Sequence, residues 1–179
     1  MAESFVNSVT RAVGVVTSSS AGAVGVQTIL ITGITTTNVT VGDIVQNSNY
    51  IAGTKVSSIG VNSTTVDRDS TNTTAATSQT VKYLGLTTAY TSATGVKSII
   101  IGGTFANNTV SEVELTVHLY DNSASLTPAI VSRVPVPNGS SFVLSDAGKT
   151  VLEGLDAIRV YSDTANAIDV QLGILKGVS

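Results

Sequence analysis

The sequence predicts an all-β chain: an antiparallel β-sandwich, jelly-roll or immunoglobulin-like, carrying a small inserted β-module. Three observations predict it. The 179 residues include 26 Thr, and the apolar excess is Val, Ile, Ala and Gly while aromatics are only 4%. Branched side chains are stiff at χ1 and pack well on a pleated surface. Runs of such residues recur at spacings near ten residues with polar turns between them, as in a small sandwich or barrel. No long 3.6-residue period competes with them.

Taken in order, Phe5 to Thr17 alternates loosely and reads as a short strand. A helix over Glu3 to Arg11 is the alternative, too short to form on its own. Ser18-Ser19-Ser20-Ala21-Gly22 is a breaker cluster. Strands are then expected at Thr28–Ile34, Asp43–Gln46, Thr54–Ile59, Thr64–Val66 and Gln79–Leu84. Asp67 to Ser78 is expected as an exposed loop or weak edge strand.

The last 95 residues carry stronger signals. Lys97 to Phe105 holds the run Ile99-Ile100-Ile101. In Glu112 to Tyr120, Val113, Leu115, Val117 and Leu119 point one way, while Glu112, Glu114, Thr116, His118 and Tyr120 point the other. Ala129–Val136, Ser141–Leu144, Thr150–Leu152, Ala157–Tyr161 and Ile168–Leu175 follow, and about seven strands in this length predict a sandwich. Pro135 and Pro137 belong at an edge or strand end, because proline cannot donate to the ladder. Charge density changes along the chain: residues 17–80 hold five charged residues and residues 81–179 hold fourteen. The expected organisation is residues 1–17 plus 84–179 as the sandwich, with residues 18–83 inserted.

Charged residues are 12% of the chain, against roughly 25% in an average globular protein. A free monomer normally keeps enough charge to resist association. The expectation is therefore a surface covered by copies of the chain or by another protein. Scattered Lys and Arg with a net charge of −3 give no basic patch, so no nucleic-acid partner is expected. Residues 12–34 are apolar but broken by Thr17-Ser18-Ser19-Ser20 and Gln27, so no membrane partner is expected either. Residues Met1 to Asn7 lack the pattern of a signal peptide, which points to synthesis in a cytosol.

Each constellation that could carry chemistry reads as structural. Cysteine is absent, which removes thiol nucleophiles and cysteine-based zinc sites. His118, the single histidine, lies mid-strand, with Glu114 about 13 Å along the same face. It lacks the nucleophile and orienting acid of a triad. Asp67-Arg68-Asp69 lacks the spacing and terminal Glu of a calcium loop and reads as a turn with a local ion pair. Asp43, Asp156, Asp163 and Asp146 fit turns in which a carboxylate bonds neighbouring backbone. Glycosylation-type triplets begin at Asn38, Asn62, Asn72, Asn107 and Asn138, but without a secretory signal they carry no weight. No catalytic residue, cofactor-binding residue, cofactor or metal ligand is expected, and the chain is expected not to be an enzyme.

One resemblance is present. Leu84-Gly85-Leu86-Thr87-Thr88-Ala89-Tyr90-Thr91, Lys97 to Asn108, Val113–Leu119, Val134 to Phe142, Lys149 to Val160 and Ile168-Asp169-Val170 together resemble a small β-domain of tailed-phage, notably cyanophage, virion proteins. Arg11-Ala12-Val13-Gly14 looks like that domain's opening strand, separated from its continuation by residues 18–83. Within these, Val41 to Val45 and Ala52 to Ile59 resemble small β-modules of phage and bacterial surface proteins. The resemblance implies a virion structural protein made in the host cytoplasm. Within that class it points to a capsid decoration or cement protein, forming a homo-oligomer, a trimer by that analogy, on the major capsid protein. The alternatives are a neck, tail or fibre accessory bound to neck or tail proteins, or a carbohydrate-binding adhesin.

Overall fold

The computed structural model describes residues 3–144 and 149–178. Among them there are fifteen strands, all pairings are antiparallel, and there is no helix. In chain order the strands are β1 (Ser4–Val13), β2 (Val15–Val24), β3 (Leu30–Thr32), β4 (Ile44–Gln46), β5 (Val56–Gly60), β6 (Ser63–Val66), β7 (Ala76–Gly85), β8 (Thr87–Thr91), β9 (Lys97–Asn107), β10 (Val113–Tyr120), β11 (Ala129–Val136), β12 (Ser141–Leu144), β13 (Thr150–Leu152), β14 (Ala157–Ser162) and β15 (Ile168–Val178). The chain divides into two units, one of residues 1–13, 87–162 and 166–179, the other of residues 14–86 and 163–165.

In the first unit, one sheet has the order β1-β15-β9-β12, with β13 also on β9. β12 pairs Gly103 to Ala106 and β13 pairs Ser98 to Ile100, so the two lie end to end along one edge of β9. The second sheet has the order β11-β10-β14-β8. Counting β12 and β13 as one position leaves eight strands, in the orders first-eighth-third-sixth and fifth-fourth-seventh-second. That is the double Greek key of a jelly roll, with six further strands between its first and second. Alternation builds the core. Phe105, Leu152, Ile168, Val170, Leu172 and Ile174 from one sheet meet Leu115, Val117, Ile158 and Val160 from the other, all buried. Gly103 keeps the layer closed, since a Cβ there would sit 2.6 Å from Leu172 Cδ2.

The second unit is a single six-stranded sheet, order β4-β7-β2-β3-β6-β5. Its two ends meet. Ile44 bridges Lys55, Val45 N–H donates to Thr54 O at 2.8 Å, and Val56 N–H donates to Asp43 O at 2.9 Å. The sheet is therefore a closed barrel, which leaves no edge. Val24, Ile31, Val45, Val56, Val66, Val81 and Tyr83 fill it. Tyr83 Oη and Thr64 Oγ1 share a buried hydrogen bond at 2.7 Å. Tyr50 Oη donates to Thr28 O at 3.0 Å, and its pKa is pushed up to about 12 by burial, then by Tyr83 and Asp69.

Several expectations are corrected. Residues 5–17 are not one strand. The backbone turns at Ala12 (φ +59°) and Gly14 (φ +96°), which ends β1 and starts β2. The helix alternative over Glu3 to Arg11 fails for the same segment, because pairing with β15 satisfies its backbone. Ser18 to Gly22 is strand rather than breaker, because Ser19, Ser20 and Ala21 lie opposite Lys82, Val81 and Thr80 of β7. Thr87–Thr91, outside the expected strands, is the strand β8. The unit boundaries fall at 13/14 and 86/87, where 17/18 and 83/84 were expected. Pro135 lies in β11, an edge strand, and Pro137 just beyond it.

Candidate functional site

The residues weighed for chemistry are held in separate local networks. Asp43 is buried; its carboxylate accepts from Thr17 Oγ1 at 2.9 Å, Thr40 N–H at 3.0 Å and Thr40 Oγ1 at 2.8 Å. Asp156, also buried, accepts from Asn122 N–H and Glu153 N–H, both at 2.9 Å. Asp67 accepts from Lys55 N–H at 2.8 Å. Asp163 accepts from Thr164 Oγ1 at 3.1 Å. Asp146 lies outside the described residues. Asn107 is buried and its amide donates to Ser111 O at 2.7 Å and Val136 O at 2.9 Å. Asn38 and Asn62 sit at positive φ in turns, and Asn72 donates to Val24 O at 3.2 Å. Among the described residues, no three His, Asp or Glu side chains converge on a metal-sized position.

What the fold gathers instead lies on the outer faces of the jelly roll. On the β11-β10-β14-β8 sheet, β10 presents Glu114, Thr116, His118 and Tyr120, and β14 presents Arg159 and Tyr161. His118 lies opposite Arg159, and Thr116 opposite Tyr161. The Arg159 guanidinium covers the Tyr120 ring at 3.7 Å, and His118 meets Tyr161 edge to face at 5.6 Å. His118 Nδ1 lies 3.1 Å from Thr127 O. Between Leu115 and Val117 the register with β11 shifts, and Arg133 takes φ +51° in the resulting bulge. The bulge aims Arg133 at Glu114. Glu114 is thus committed to Arg133 rather than to His118.

On the other sheet the charges of the outer face stand at its ends, with the Lys97–Glu153 ion pair, 3.6 Å, at one of them. Phe5 lies opposite Leu175, Leu175 opposite Ile99, and Ile99 opposite Val151. These four form one apolar row across β1, β15, β9 and β13. Beside it Gly173 faces Gly102, leaving a shallow depression over which Ile101 leans. Val9, Gln171, Thr104 and Val143 make a further row, and the Arg11–Asp169 ion pair, 3.6 Å, closes the far end.

Sequence reasoning singled out His118 and Glu114 but missed Arg133, Arg159, Tyr161 and the Phe5 row. The alternation of β10 was the available signal; which strands flank it is set by long-range pairing. A scan against protein-family models, a search of curated proteins and a search of solved structures each returned no match.

Proposed function

We propose that this chain is a non-enzymatic structural subunit that works by adhesion, as a decoration or cement protein on the capsid of a tailed-phage virion. The observation that supports this most is the Phe5–Leu175–Ile99–Val151 row, an apolar stripe across four strands on a face whose ion pairs, Lys97–Glu153 and Arg11–Asp169, stand at its two ends. Covering such a face is favourable by roughly 25 cal/mol per Å² of apolar surface. The jelly roll is shared by viral capsid and lectin domains, so the architecture agrees with the reading without fixing it. The virion itself rests on the sequence resemblance. The test is to add purified, labelled chain to phage particles and image them. Regular density on heads supports decoration. Label confined to neck or tail makes it an accessory there. No binding, together with a monomer that persists at micromolar concentration, removes the structural reading.

One observation favours a second reading, a surface-binding adhesin. Tyr120 and Tyr161, with His118, Arg133 and Arg159, share one outer face. Aromatic rings with adjacent donors suit a sugar or a partner surface. A glycan array on the native chain, repeated with Tyr161→Ala, separates this from adhesion through the apolar row.

A further inference from the structure

β1 is the outermost strand of its sheet, and among the described strands it pairs with β15 alone. It runs in unbroken register from Ser4 to Thr10. Natural edges of this length are normally guarded by lysine, proline or an interrupting bulge. Ser4 to Thr10 contains none of these, and the only bulge follows Thr10. Two large apolar side chains stand outward on it, Phe5 at 75% exposure and Val9 at 67%.

The strand is also complementary to itself. The midpoint of the register is Asn7. An antiparallel copy related by a twofold axis at Asn7 places Phe5 opposite the second copy's Val9, and Glu3 opposite the second copy's Arg11. Ser4 then faces Thr10, Val6 faces Ser8, and Asn7 faces itself. The three outward pairs match in kind, apolar on apolar and amide on amide within the unbroken register, and acid on base just beyond it. An isologous contact requires such palindromic matching. Arg11 is paired with Asp169 at 3.6 Å, but its side chain is 82% exposed, so the guanidinium has donors left for the second copy's Glu3.

We infer that two copies of this chain join edge to edge through β1, with the twofold at Asn7, so that the sheet continues from one copy into the next and the Phe5 row of each copy meets the Val9 row of the other. The inference rests on the assembly reading above and gives that assembly its partner and register. It is a twofold contact, unlike the threefold implied by resemblance.

The chain has no cysteine, so a single introduced thiol reports its own neighbour. Paired residues in an antiparallel ladder stand about 4.5–5.5 Å apart at Cα, inside the roughly 4.4–6.8 Å a disulfide accepts. Two copies of Val9 would stand about 13 Å apart along the strand. In a glutathione redox buffer, Asn7→Cys is expected to give a covalent dimer and Val9→Cys none. Glu3→Lys and Arg11→Glu are each expected to lose association in sedimentation, and the double variant to regain it. Equal cross-linking at both positions overturns the register. An oligomer in which Asn7→Cys stays a free thiol overturns the β1 contact and leaves the assembly reading standing. A monomer throughout overturns both. A monomer whose Asn7→Cys thiol is protected only when particles are added assigns the edge to another protein and overturns the inference.

Discussion

Arg133 holds Glu114 through two parallel hydrogen bonds, Nε to Oε2 at 2.8 Å and Nη2 to Oε1 at 3.0 Å, from a backbone at φ +51°. The pair is partly exposed, so screening keeps it under about 1 kcal/mol. The left-handed backbone costs a non-glycine residue about 1 kcal/mol. Arg133→Ala is therefore expected to destabilise the jelly roll, because it loses the pair and keeps the strain. Arg133→Gly is expected to be close to neutral. Urea denaturation of the two variants checks the order; Gly less stable than Ala would mean the bulge carries no strain.

Inside the barrel, Tyr83→Phe leaves Thr64 Oγ1 buried without its partner. The expected loss is about 1–3 kcal/mol. Adding Thr64→Val removes the stranded hydroxyl and is expected to recover part of that loss. A double-mutant cycle with no coupling would show that the hydroxyls do not act as a pair.

Alkaline pH is expected to weaken the barrel. Tyr50 ionises near its ordinary value of 10.0 when unfolded and only near about 12 when folded. Below the lower value both states are neutral and nothing changes. Between the two, the unfolded chain gives up its proton first, so stability falls as pH rises. Tyr83, also raised by burial, acts in the same direction. Tyrosinate absorbance followed together with circular dichroism checks this. Ionisation of every tyrosine near its ordinary pKa, without loss of structure, would contradict it.

His118→Ala is expected to cost under about 1 kcal/mol, the scale of one aromatic edge contact with Tyr161. Self-association measured by sedimentation is expected to be unchanged, because His118 lies on the sheet opposite to β1. Loss of assembly on this change would move the interface to the His118 face.

Local alternation made β10 readable, and turn chemistry made the breaks around it readable. Ser18 to Ala21 could not be read as strand, because nothing in three serines and an alanine announces β7 as their partner. The barrel's closure was hidden for a related reason. It depends on Asp43 to Val45 meeting Thr54 to Val56, a pairing that neither segment's composition specifies. The two outer faces were half legible. Which side chains share a face follows from period two, but the rows across strands follow from register. Phe5 joins Ile99 only because β15 runs between β1 and β9.

The way the barrel is strung into the chain has an evolutionary side. Val15, just after its entry, lies directly opposite Gly85, just before its exit. The two backbones therefore pass at about 5 Å, the spacing within any hairpin. To the eight-strand fold, the seventy-odd residues between β1 and β8 are topologically equivalent to a tight turn, and loop-closure entropy hardly penalises them. Such a position behaves as a cassette slot. A lineage can delete the barrel, or trade it for another domain whose termini are adjacent, without renegotiating the eight strands that carry it.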